Sequence, residues 1–256
     1  MSTGDAVGLI TATLLASGVE FVEALTIVLA MGTTRGWRST WAGVGAALLA
    51  LAVITVFAGY ALEQWLPEAL VSLVVGTLLL VFGLQWLRKA ILRAAGLKAL
   101  HDEDAAFRAE VDAAARAGDE RRLGLDWFAF VVSFKGVFLE GLEIVFIVIT
   151  FGLNAGSIPL AVVGAALGGA IVIAAGFALH RPLARVPENT IKFVVGLLLT
   201  TFGTFWAVEG LGWFSAGQER LDWPGGDLAL PALLVAWCAL AWAAVRLVAP
   251  RAGEAV

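Results

Sequence analysis

Long apolar runs separated by short polar stretches fill most of this chain. Seven runs, at about residues 7–31, 41–62, 68–87, 127–151, 158–179, 189–210 and 229–249, reach the roughly 20 residues that carry an α-helix across a bilayer. Between the third and fourth lies a long polar stretch, 88–126. Within it, K-A-L-H-D-E-D-A-A-F-R-A-E-V-D-A-A-A-R-A predicts a surface helix starting near Asp102 or Asp104, because acidic side chains favour the positive end of the helix dipole. His101, Asp102, Glu103 and Asp104 could hold a cation as a group, but a solvated helix start accounts for them more simply. The pattern predicts an all-α integral membrane protein.

The chain also repeats itself at an offset of about 120 residues. Glu20 and Glu23 match Glu140 and Glu143; Ile27, Val28 and Gly32 match Ile147, Val148 and Gly152; Pro67 and Glu68 match Pro187 and Glu188. Residues 74–86 match 194–206 at 8 of 13 positions, and V-G-A-A-L at 44–48 recurs at 163–167. Each copy holds three spans. An odd number sends the second copy through the membrane in the opposite sense, so the fold expected is two inverted three-helix repeats plus one extra C-terminal helix. Such repeats place transported ions near the midplane. The divisions are 1–87 for the first repeat, 88–126 for a linker, 127–211 for the second repeat, 212–228 for a loop, and 229–256 for the seventh helix and tail. Gly76 and Gly83 match Gly196 and Gly203, and Gly164 and Gly168 form G-x-x-x-G; their expected role is close helix contact.

Composition agrees with a membrane protein: 60% of residues are hydrophobic and 15% charged. The N-terminus lacks a basic segment before the first run, so a cleaved signal peptide is not expected. The single cysteine, Cys238, excludes an internal disulfide and a cysteine-based metal site. With the N-terminus outside, 16 of the 17 basic residues fall on the inner side and only Arg220 outside. The positive-inside rule then orients the chain N-out and C-in, in the inner (plasma) membrane of the cell with a cytoplasmic linker. Trp37, Trp41, Trp86 and Trp127 fall near inner boundaries, and Trp65, Trp213 and Trp223 near outer ones.

Chemistry enters with the two E-x-x-E pairs, Glu20/Glu23 and Glu140/Glu143, near the centres of the first and fourth spans. Residues three apart share a helix face, and carboxylates at this depth are costly enough to mark an ion path or a proton relay. Lys135 and Lys192 lie toward span ends. The compensating charge is therefore protons, a bound cation, or both in turn. All-oxygen ligands suit hard cations such as Mn²⁺, Ca²⁺, Mg²⁺ or Fe³⁺. His101 and His180 fall outside the midplane, which disfavours a histidine zinc site. Thr26, Ser17, Ser133, Thr150, Thr200, Thr201 and Thr204 lie along the first, fourth and sixth spans. Thr26, Ser133 and Thr204 are secondary candidates, although such hydroxyls more often bond their own helix backbone. Glu209, near the outer end of the sixth span, is a candidate outer ligand or an interface residue; Glu63 and Glu68, at the outer loop between the second and third spans, could add an acidic funnel, but exposure without function is the simpler reading.

The glutamate motifs resemble those of two transporter families. L-E-G-L-E at 139–143, and more weakly V-E-F-V-E at 19–23, resemble the R-E-G-L-E motif of the high-affinity iron permeases. That resemblance implies seven spans, with iron bound by Glu20, Glu23, Glu140 and Glu143. Val19 and Leu139 stand where that motif has arginine. The pairs and the glycine-rich helices that follow are also similar to the manganese/calcium–proton transporters of the LysE-type superfamily, with their E-x-G-D-K-T motifs. There Glu23 and Glu143 replace the aspartate and the motif lysine is absent. The function expected is transport of a metal cation, of iron or manganese class, through a midplane site of four glutamates with proton coupling. No enzyme activity, no resident cofactor and no nucleic-acid partner are expected. The partners expected are the lipid bilayer and the metal ion, and a homo-oligomer is left open. A proton-coupled exporter of a small organic cation or amino acid is the alternative. A membrane-embedded metalloenzyme ranks low, because di-iron sites use Glu-x-x-His pairs that this chain lacks.

Overall fold

The computed structural model describes residues 3–64, 66–98, 102–179 and 188–249. Trp65, His101, His180, Arg181, Arg185, Pro187 and Arg251 lie outside them, as do the side chains of Glu63, Glu103 and Glu188. Eight helices are described: α1 (Thr3–Arg35), α2 (Trp37–Gln64), α3 (Glu68–Ala94), α4 (Glu103–Arg116), α5 (Trp127–Asn154), α6 (Ile158–Leu179), α7 (Glu188–Gly210) and α8 (Ala229–Val248). All but α4 are long and apolar enough to cross a membrane. The protein is an all-α integral membrane protein with seven such helices, as the hydrophobic pattern predicts.

Several helices outrun their apolar runs. α1 continues to Arg35 and stops at Gly36 (φ 107°); α3 carries Arg88, Lys89 and Arg93 past its apolar run before Gly96 (φ 74°). Backbone bonding does not end where hydrocarbon does; it ends where a glycine can take the left-handed conformation. α4 begins where the acids predict, with the Asp102 carboxylate accepting from the amides of Asp104 and Ala105. A feature absent from the sequence reading is a two-stranded antiparallel hairpin, β1 (Arg121–Arg122) with β2 (Leu125–Asp126), that leads into α5.

The chain forms two compact units, Met1–Ala58 with His101–Val186, and Gly59–Leu100 with Pro187–Val256. Neither unit is one repeat. The first contains α1, most of α2, α4, α5 and α6; the second contains α3, α7 and α8.

In the first unit the equivalent helices α1 and α5 pack antiparallel. Ile27 fills the space beside Gly136, and Ala30 and Met31 share a buried cluster with Ala129. Each of these helices also receives the second helix of the other repeat. Gly43 of α2 lies against the Phe130 carbonyl of α5, and Gly164 of α6 lies against the Ile10 carbonyl of α1. Phe130 and Ile10 are equivalent positions in the repeat, while Gly164 corresponds to Gly45, two residues from Gly43, so the two-fold relation within the unit is approximate. Val44 and Ala47 of α2 complete the first contact against Val137, Phe134 and Phe138.

The linker adds to this unit on one side only. Phe107 of α4 packs against Val22, Leu25 and Leu29 of α1 and Val172 of α6, while Val111 and Ala114 reach Ala30 and Met31. Arg35 fastens the far end. Its guanidinium donates to the carbonyls of Ala117 (3.2 Å) and Gly118 (2.7 Å), pairs with Asp126 at 3.0 Å and Asp119 at 3.3 Å, and lies 5.9 Å from the Phe128 ring centre. Asp126 in turn caps α5 through the Ala129 amide, and its own amide donates to Ser39.

In the second unit α3 and α7 cross as an antiparallel pair along a glycine seam. Gly76 meets Ala207, Gly83 meets Thr200, Gly203 meets Leu80 and Gly196 meets Leu87, each so close that a Cβ would press on the partner's backbone. These contacts exchange with one another when 120 is added to one residue and subtracted from its partner, the mark of a two-fold relation between repeated helices. Leu87, Leu197 and Ala241 close a core against α8.

Replacing Gly83 or Gly203 by Ala should therefore destabilise the protein by about 1–3 kcal/mol through overpacking. Gly45→Ala, where a Cβ meets nothing within 4 Å, should be neutral or mildly stabilising. Thermal unfolding of the three purified variants in detergent checks the contrast. Arg35→Gln should speed amide hydrogen exchange in residues 117–126 by about tenfold or more, since a charge-assisted network worth over 1 kcal/mol is lost. Exchange mass spectrometry measures it.

Candidate metal centre

The E-x-x-E spacing turns two carboxylates to one face of α1 and two to one face of α5. Antiparallel pairing then sets Glu20 level with Glu143 and Glu23 level with Glu140. Carboxylate oxygens of Glu20, Glu140 and Glu143 all lie within 4.8 Å of one another. Two oxygens bound to one Ca²⁺ at about 2.4 Å can be no more than about 4.8 Å apart, so the three are at the separation one cation would need. Glu23 is not in that group. Glu20 is fully buried, at 0% exposure, whereas Glu140, Glu143 and Glu23 are half-buried.

Charge makes such a group demanding. Two ionised carboxylates about 4 Å apart repel by about 4 kcal/mol at an effective dielectric near 20, and the trio contains three such pairs. Lys135, five residues before Glu140 on α5, is exposed. A divalent ion or shared protons would supply compensating charge for such a group.

Hydroxyls flank the trio. Ser17 on α1, one turn before Glu20, and Thr150 on α5, two turns after Glu143, are both at 0% exposure and make no hydrogen bond with described residues; Ser133 is in the same condition. Thr26 differs, because its hydroxyl donates to the Val22 carbonyl at 2.9 Å.

The remaining candidates belong to the second compact unit. The Thr204 hydroxyl donates to the Thr200 carbonyl at 2.7 Å and accepts from the Trp237 indole at 3.1 Å. Thr200 and Thr201 donate to the carbonyls of Gly196 and Leu197. These hydroxyls serve their own helix, the commoner role for a mid-helix threonine. Glu209 is ion-paired to Arg220, while its backbone carbonyl accepts from the Leu221 amide and Trp223 stacks on Phe205. The pair holds the loop after α7 back on the helix end. Glu68 starts α3 and is exposed, and exposed Cys238 lies on α8.

Sequence reasoning did not find the Arg35 fastening or the covering of α1 by α4. The second had a visible signal, because Phe107, Val111 and Ala114 recur at helical spacing on one face. Arg35 had none beyond its sign, since its partners are 82 or more residues away.

Among protein families, residues 23–94 match the family described as divalent cation/proton antiporter GDT1. The match covers a little over a quarter of the chain, from Glu23 of α1 to the end of α3. It agrees with the resemblance to manganese/calcium–proton transporters and gives no support to the one with iron permeases. No curated protein and no solved structure matches the chain.

Proposed function

We propose that this chain is a membrane antiporter that exchanges a divalent cation, of the Mn²⁺ or Ca²⁺ class, for protons. The carboxylate trio of Glu20, Glu140 and Glu143 within one unit of paired repeats carries the reading, and the partial match to a cation/proton antiporter family supports it.

The cation arrives partly dehydrated. Carboxylate oxygens, with the Ser17 and Thr150 hydroxyls nearby along the same helices, replace part of its water shell, which suits hard ions that take oxygen ligands. A 2+ charge cancels most of the repulsion within the trio. Once the ion leaves, that repulsion returns, and protons taken from the water phase relieve it. Occupancy by metal and by protons is thus mutually exclusive, and this exclusion is what couples the two fluxes. Glu23 completes the four-glutamate set on the α1 side. Thr26, Ser133, Thr204 and Glu209 stay outside the primary ligand set in this reading. The charge distribution favours the N-out, C-in orientation in the inner membrane, with α4 on the cytoplasmic side.

In proteoliposomes with an imposed pH gradient, the protein should drive Mn²⁺ or Ca²⁺ flux against the direction of proton flow. Glu20→Gln and Glu140→Gln should each reduce it by about a hundredfold, the loss expected when one buried charged ligand worth about 3 kcal/mol is removed. Unchanged flux in both variants, in protein that still elutes as a single species, would sink the assignment. Affinity for the metal alone should fall as pH falls, by about tenfold per pH unit for each proton displaced, because protons compete for the ligands. Calorimetric titration with Mn²⁺ between neutral and mildly acidic pH measures the slope; a flat profile would argue against proton exchange at this site.

A further inference from the structure

The two glutamate pairs are equivalent in sequence and unequal in structure. Under the repeat, Glu20 corresponds to Glu140 and Glu23 to Glu143. A site symmetric under that relation would treat Glu23 and Glu143 alike. Instead Glu143 joins Glu20 and Glu140, while Glu23 lies outside the trio. Glu20 is fully buried and its equivalent Glu140 only half-buried. The surroundings differ in the same sense, since Phe107, Val111 and Ala114 of α4 pack against α1.

We infer that Glu143 and Glu23 are alternate third ligands for one divalent cation, exchanged as the protein passes between its two access states, while Glu20 and Glu140 hold the ion throughout. The inference rests on the antiporter reading above. Its logic follows from the repeat. When two equivalent halves adopt unequal conformations, exchanging those conformations yields a second state, set higher in energy here because α4 covers one side of the unit. Applying the two-fold to Glu20, Glu140 and Glu143 gives Glu140, Glu20 and Glu23. Two members of the trio map onto each other and are common to both states; the third changes. The halves share a packing scheme that the exchange can use: each lays its second helix on the first helix of the other, α2 on α5 at Gly43 and Phe130, and α6 on α1 at Gly164 and Ile10.

The exchange also moves the ion. Glu143 sits level with Glu20 and Glu23 level with Glu140, one turn apart, so changing the third ligand displaces the centre of charge along the helix axis by a fraction of the roughly 5 Å between turns. The ion passes from the N-terminal side of α1 toward its Arg35 side without losing both constant ligands. Hydroxyls lie along both directions: Thr13, Ser17 and Thr150 on the first, and Thr26 and Ser133 on the second, all buried.

The test separates binding from turnover. Mn²⁺ affinity of purified full-length protein, measured by calorimetry, and Mn²⁺ flux in proteoliposomes are compared for Glu143→Gln and Glu23→Gln. Glu143→Gln should weaken binding by at least about tenfold, as expected for a lost charged ligand. Glu23→Gln should leave affinity within about threefold yet slow flux by about tenfold or more, because only the second state loses a ligand. Glu23→Asp, which restores the carboxylate, should recover part of the flux, an outcome a merely structural role would not produce. Equal loss of affinity in both Gln variants would overturn the exchange in favour of a fixed four-ligand site. Unchanged flux in Glu23→Gln would overturn it by removing Glu23 from the cycle. Either result leaves the antiporter reading standing. That reading fails separately if Glu20→Gln and Glu140→Gln bind Mn²⁺ as tightly as the unaltered protein.

Discussion

Close antiparallel contact between repeated helices is the constraint on which the rest depends. In a bilayer the lipid tails are as apolar as leucine, so helices gain little from hiding apolar surface and associate through van der Waals contact at small residues. α3 and α7 meet that requirement with four glycines set against the partner backbone. α1 and α5 meet it with Gly136, Ala30 and Ala129. Their approach places Glu20 beside Glu140 and Glu143. Larger residues along that interface would hold the two helices, and with them the carboxylates, further apart.

That approach has an electrostatic consequence. Three carboxylates this close in a low-dielectric interior need a positive partner. The same packing that stabilises the helix pair thus brings three carboxylates together, and in the proposed antiporter a cation or protons would offset their repulsion.

The linker breaks the symmetry of the repeats. α4 covers α1 and α6 through Phe107, Val111 and Ala114, and Arg35 ties the end of α1 to the linker and, through Asp126, to the cap of α5. Two conformations that the sequence repeat would make equivalent are placed in different surroundings, which fits the unequal burial of Glu20 and Glu140.

The sequence by itself determined the seven apolar helices, the duplication and the glutamate pairs. Each of these is a local pattern: run length, offset and i, i+3 spacing are all legible along one dimension. It also marked the seam glycines, because they recur at equivalent positions. Only the tertiary structure decided that compact units form across the repeats instead of within them, as α1 with α5 and α3 with α7. It alone singled out three of four glutamates, engaged Glu209 with Arg220, and gave Thr26 and Thr204 to helix backbone while Ser17, Ser133 and Thr150 make no such bond among the described residues. The physical reason is that spacing along a helix fixes which face a side chain occupies. The partner on that face is set by depth and register between helices more than a hundred residues apart, which no local pattern encodes.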